Sequence, residues 1–113
     1  MSDIFTARVV AIIRKIPFGK VTTYGMIAAE AGNRCGARQV SRILHSCSEK
    51  YDLPWHRVVN RNGEVSFRSS MHHHFQRNLL AGEGVVFSVQ GKIDFEHYLW
   101  RPDEPVTGSI PNS

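Results

Sequence analysis

The chain has 113 residues, 42% hydrophobic and 21% charged, with a formal net charge of +4 and two cysteines. That length and balance fit one soluble domain whose core needs neither metal nor disulfide, and two cysteines are too few for a secreted disulfide framework. No apolar run approaches the ~18 residues of a membrane span. The opening "MSDIFTARVV" places an acid early and lacks a signal-peptide pattern, so a reducing cytoplasm is the expected compartment.

Residues 3–16 carry Ile4, Phe5, Val9, Ile12, Ile13 and Ile16 at helical spacing, with Ser2 as a candidate cap. Pro17 and Gly19 end that helix. "VTTYGMIAAEAG" predicts a second helix, capped by Thr22 or Thr23, opened by Tyr24 and closed by Gly32. A third is predicted over 36–47, with Val40, Ile43 and Leu44 on one face and Arg38, Arg42 and His45 elsewhere. Two short helices joined by a tight, glycine-containing connection suggest a helix-turn-helix. After Pro54, "RVVNRNGEVSF" reads as a β-hairpin turning at Asn62-Gly63. "SSMHHHFQRNLLAGEG" predicts a fourth helix, capped by Ser69 or Ser70, with Met71, Phe75 and Leu79 at i, i+4 and i+8. The expected fold is mainly α: a winged-helix-like DNA-binding domain with a helix-turn-helix and a short hairpin wing. It spans residues 1–101, and 102–113 is expected to be a disordered tail.

The charge pattern permits a polyanionic partner without requiring one. Sequence pI is 9.4, and Arg34, Arg38, Arg42, Arg57, Arg61 and Arg68 fall between residues 34 and 68. A solvated helix face explains such a cluster as readily as nucleic-acid binding does. The run His72, His73, His74 does not make a metal site, because adjacent helical residues point about 100° apart. Cys35 and Cys47 lack C-x-x-C spacing, so no metal and no cofactor is expected. In "LPWHRVVN", Trp55 precedes His56 and Arg57. By default such a Trp anchors a loop. Yet a His beside an Arg is the supporting half of a nucleophile site, and no nucleophile stands before it.

The stretches "IPFGKVTTYGMIA", "RQVSRIL", "PWHRVV", "NGEVSF" and "LLAGEGV" occur in order between Phe5 and Trp100. In sequence and spacing they resemble the C-terminal, DNA-binding domain of the O6-alkylguanine-DNA alkyltransferases. The N-terminal half of the longer alkyltransferase chain has no counterpart here. In that family a Pro-Cys-His-Arg motif supplies a thiolate that takes the alkyl group from a flipped-out guanine, and a His and a carboxylate lower the Cys pKa. Here Trp55 stands where the Cys belongs, while His56, Arg57 and, in "LLAGEGV", Glu83 match the supporting groups. Eight residues earlier, Cys47 occupies the position of the family's Asn hinge. These departures resemble the alkyltransferase-like subfamily with Trp in the core motif.

The resemblance implies a non-enzymatic reader of O6-alkylguanine in duplex DNA. It implies Arg38 as the finger that fills the vacated stack and Tyr24 as a wedge at the 3′ phosphate. Trp55 would be the pocket wall, the Val58 carbonyl an acceptor for the exocyclic amine, and Arg68 a sensor beside the flipped base. It further implies a monomer, nucleoid-associated in the cytoplasm, that signals to nucleotide-excision repair through a UvrA-type damage sensor. Two alternatives stand beside it: a suicide alkyltransferase using Cys47 as a displaced nucleophile, and a sequence-specific helix-turn-helix regulator.

Overall fold

The computed structural model describes residues 3–65 and 70–102. Three helices come first: α1 (Asp3–Arg14), α2 (Tyr24–Glu30) and α3 (Ala37–Tyr51). Each ends for a local reason. α1 tightens through Lys15 N–H to Ile12 O and Ile16 N–H to Ile13 O, and Pro17 stops it. At the start of α2, Thr23 lies in the extended region and its hydroxyl accepts from Met26 N–H. The helix closes with Asn33 N–H on Ala28 O and Gly32 N–H on Ala29 O, with Gly32 at φ +107. That is the Schellman arrangement, which favours a left-handed glycine.

α3 runs a turn beyond the predicted 36–47. Its last turn, "SEKY", has no apolar periodicity. It is held instead by Leu53 N–H folding back onto Ser48 O, across Asp52 at φ 54. Leu53 is buried with Val9, Ile13, Ile16, Ile27, Val40, Leu44 and Val58 in the first of two core clusters. α1, α2 and α3 thus close on one another around a shared apolar centre, as the helix-turn-helix expectation requires. Ile4, counted on the apolar face of α1 from spacing, is 69% exposed and stands outside this core.

The hydrogen-bonded sheet has two short strands, β1 (Thr22–Thr23) and β2 (Val58–Val59), paired in parallel. Successive strand residues face opposite ways. Val58 therefore enters the helical cluster, while Val59 joins a second cluster with Val21, Val65, Leu80, Val85 and Ile93. A turn does form around Asn62-Gly63: Asn60 Oδ1 accepts from Asn62 N–H and Glu64 N–H, and Gly63 lies at φ +77. The sheet partner of Val58–Val59 is β1, and Gly63 O accepts from Ile93 N–H at 2.8 Å. The arm beyond Val65, and with it the predicted wing's second strand, lies outside the described residues, as do Ser2, Ser69 and residues 103–113.

α4 (Ser70–Gly82) packs on the turn before β2. Its inward residues are Gln76 and Leu80, both 0% exposed. The predicted stripe is one residue out of phase: Phe75 is 54% exposed and Leu79 half-buried. A short α5 (Phe95–Tyr98), capped by the Asp94 side chain, leads to a strap across Val21, with Val21 N–H on Tyr98 O and Trp100 N–H on Val21 O.

A Cβ at Gly63 would lie 2.8 Å from Ile93 O in a left-handed backbone, whereas one at Gly84, also left-handed at φ +94, would meet nothing within 4 Å. Gly63→Ala is expected to cost about 1–3 kcal/mol in urea unfolding. Gly84→Ala should cost less, and the reverse order would contradict the close approach at Ile93.

Candidate functional site

Pro54 begins a single 3-10 turn, Trp55–Arg57, that leads into β2. The turn is held by Trp55 N–H to Leu53 O and Arg57 N–H to Pro54 O. It presents His56 and Arg57 to the end of α4, where Glu83 is the capping residue. Val85 N–H on Leu80 O and Gly84 N–H on Ala81 O complete that helix end. A carboxylate there faces the negative end of the helix dipole, which disfavours it. The bonds it receives reverse that balance. Glu83 Oε2 lies 2.6 Å from His56 Nε2 and 2.8 Å from Arg57 Nη2. Arg57 Nε donates to both oxygens at 3.0 and 3.1 Å. Gly19 N–H donates to Oε1 at 2.8 Å.

Arg57 is fixed from two further sides. Its Nη1 donates to Ile16 O at 2.9 Å, and its guanidinium lies over the Phe18 ring at 5.6 Å. An arginine fork against a carboxylate is the strong form of such a pair. Burial alone would push the Glu83 carboxyl up. The hydrogen bonds from Arg57, His56 and Gly19, with the charge of His56, outweigh burial and hold it at about 2 against an ordinary 4.5. An ionised carboxylate only accepts, so the proton shared with His56 sits on Nε2.

Trp55 is half-buried against the helical cluster. Its ring meets His56 edge-on at 6.0 Å and Phe75 at 5.9 Å with a 44° tilt. Indole is a donor without a nucleophilic lone pair. Cys47 lies on α3, partly buried against the same cluster.

Tyr24 opens α2 and is half-buried, packed on the helical cluster. Arg38 stands in the first turn of α3 and is exposed. Arg42 and His45 continue its face at helical spacing, both exposed, and exposed Arg34 lies in the preceding turn. Val58 is fully buried, and its carbonyl accepts from Gln76 Nε2 at 3.0 Å. Arg68 lies outside the described residues, as do the side chains of Met71, His72 and His73. Among the described residues no three His, Cys, Asp or Glu side chains are placed to hold a metal ion. A groove of about 660 Å³ lies elsewhere, between Val10 and Arg14 of α1, Lys15 just after it, and Tyr51 of α3.

Gln76 is the site residue that spacing missed. A polar residue four positions before Leu80, on the face the helix buries, was its one signal in the sequence.

A helix-turn-helix with a basic exposed face, packed beside a Pro-Trp-His-Arg turn braced by a buried carboxylate, defines a DNA-binding module of the alkylguanine-repair type. The family model described as 6-O-methylguanine DNA methyltransferase, DNA binding domain, matches residues 4–85, and the chain belongs to that family. It is 46% identical over 99 residues to the DNA base-flipping protein of Escherichia coli K12, covering 88% of this chain and 76% of that one. It is 35% identical over 105 residues to alkyltransferase-like protein 1 of Schizosaccharomyces pombe, covering 88% and 97%. The crystal structure of S. pombe Atl1 with damaged DNA containing O6-carboxymethylguanine superposes with a TM-score of 0.75, at 35% identity, covering 88% of this chain and 97% of that one.

Removing the Glu83 carboxylate strands Arg57 and His56, so Glu83→Ala should cost about 3 kcal/mol. The folded carboxyl is the stronger acid. Its contribution is therefore complete above about pH 4.5 and lost as pH falls toward 2. Urea midpoints measured across that window should drop more steeply for the wild type than for Glu83→Gln. Parallel curves would refute the assignment.

Proposed function

We propose that the protein binds duplex DNA, extrudes an O6-alkylated guanine and holds it without taking the alkyl group. One observation carries the reading: the complete His56–Glu83–Arg57 network stands beside Trp55, a side chain that has no thiolate to offer. A plain operator reader has no use for that network. An alkyltransferase needs a nucleophile beside the His, and Cys47 is eight residues upstream on α3. The names of the similar proteins, a DNA base-flipping protein and an alkyltransferase-like protein with a structure on damaged DNA, support the same reading.

In this reading Arg38 enters the space vacated by the guanine. Its exposed position in the first turn of α3 suits that role. A planar guanidinium stacks and hydrogen-bonds to the orphaned partner base. Tyr24, at the start of α2, crowds the flanking phosphate. Extrusion costs a few kcal/mol, less for a lesion that already pairs badly, and that difference is one source of selectivity. Trp55 walls the pocket, the Val58 carbonyl takes the exocyclic amine, and Arg68 senses the altered ring edge. Docking in the minor groove suits damage recognition, because little sequence is readable there. Held lesions are then passed, by a monomeric, nucleoid-associated protein in the cytoplasm, to nucleotide-excision repair through a UvrA-type sensor.

Gel-shift competition between paired duplexes with and without one O6-methylguanine tests the binding. The damaged duplex should win, and affinity should fall with salt as counterions are released. Intact protein mass should stay unchanged after long incubation; a gain of one methyl mass would overturn the non-enzymatic reading. Stacking on a side chain is worth about 1–3 kcal/mol, so Arg38→Ala should lose roughly ten- to a hundredfold on the lesion, with little rescue by Arg38→Lys. Equal small losses on both duplexes would make Arg38 a phosphate contact instead.

A further inference from the structure

Gln76 is fully buried on the inner face of α4. Its Nε2 donates to His56 O at 3.1 Å and to Val58 O at 3.0 Å. Its Oε1 is buried without a hydrogen-bond partner among the described residues. The opposite amide orientation would set that oxygen against two carbonyl oxygens, so the one seen is the only workable one. A buried acceptor left unmatched is unfavourable. Methionine, of similar length, would fill the same space without that penalty. What it lacks is the pair of donors.

The two carbonyls held by Gln76 flank Arg57, at the point where the Trp55–Arg57 turn becomes β2. A carbonyl oxygen has two lone pairs, and Gln76 occupies one on Val58. The direction of the other is set once the first is taken and the turn is fixed.

We infer that Gln76 is a positioning residue for guanine recognition: it clamps the His56 and Val58 carbonyls and so aims the Val58 carbonyl at the exocyclic amine of the flipped base when that base is held. The inference rests on the reading of Val58 given above. It makes guanine selectivity a property of α4, an element remote in sequence from the helix-turn-helix.

The test compares duplexes carrying O6-methylguanine or O6-methylhypoxanthine, which differ only by the 2-amino group. Both lesions are placed opposite an abasic site, so neither gives up a pairing bond on extrusion. Wild type should prefer O6-methylguanine by roughly three- to tenfold, the worth of one hydrogen bond. Gln76→Met should bind the hypoxanthine duplex as wild type does and lose the preference. Gln76→Lys, which supplies donors of similar reach and no acceptor, should keep most of it. If Gln76→Met retains the preference, or weakens both duplexes equally, Gln76 is structural only and the Val58 reading survives. If wild type shows no preference, the Val58 contact is absent and the inference falls with it. Circular dichroism identifies a variant that fails to fold. Should Gln76→Met do so, Gln76→Lys decides, and loss of preference there overturns the inference.

Discussion

The Glu83 carboxylate is the constraint on which the site's geometry depends. It receives hydrogen bonds from Gly19, His56 and Arg57, so it ties together the turn after α1, the turn before β2 and the end of α4. The first two of these segments are 26 to 64 residues from Glu83 along the chain. Arg57 extends the junction to the Ile16 carbonyl. The group sits where a helix dipole disfavours it, and its surroundings more than compensate.

The two-residue strand β2 does the complementary work on the apolar side. Val58 points into the helical core and Val59 into the second. A turn fastened by both cores has little freedom, and His56 and Trp55 inherit that rigidity. The basic helix face is carried differently. Arg38 stands exposed in the first turn of α3.

Much of this was legible in the residues, for stated reasons. Thr23, Gly32 and Pro17 mark helix ends through caps and left-handed turns, and the structure uses each one that way. His56, Arg57 and Glu83 were paired through the family resemblance, and they do meet. Less visible was anything that depends on partners distant in sequence. The extra turn of α3 needs Leu53 to fold back, and no periodicity announces that. The strand partner of Val58–Val59 is Thr22–Thr23, too short and too far away to outweigh the local Asn-Gly turn signal. Apolar spacing turns Phe75 inward and Gln76 outward, whereas the His56 and Val58 carbonyls take their donor from Gln76 on the inner face of α4.

The separation between helical contacts and site contacts has a consequence for how the protein fails. α1, α2 and α3 pack against one another within the first half of the chain, whereas the site is closed by Glu83 and the second core by the Val21–Trp100 strap. Closures between distant segments carry the larger loop entropy and form on the slower scale. Mild heat or denaturant is therefore expected to open the C-terminal closures before it disperses the helices. A partly opened molecule keeps its cationic helix face and loses the junction around Glu83. The network around Glu83 is thus the first part expected to melt, and the cationic helix face the last.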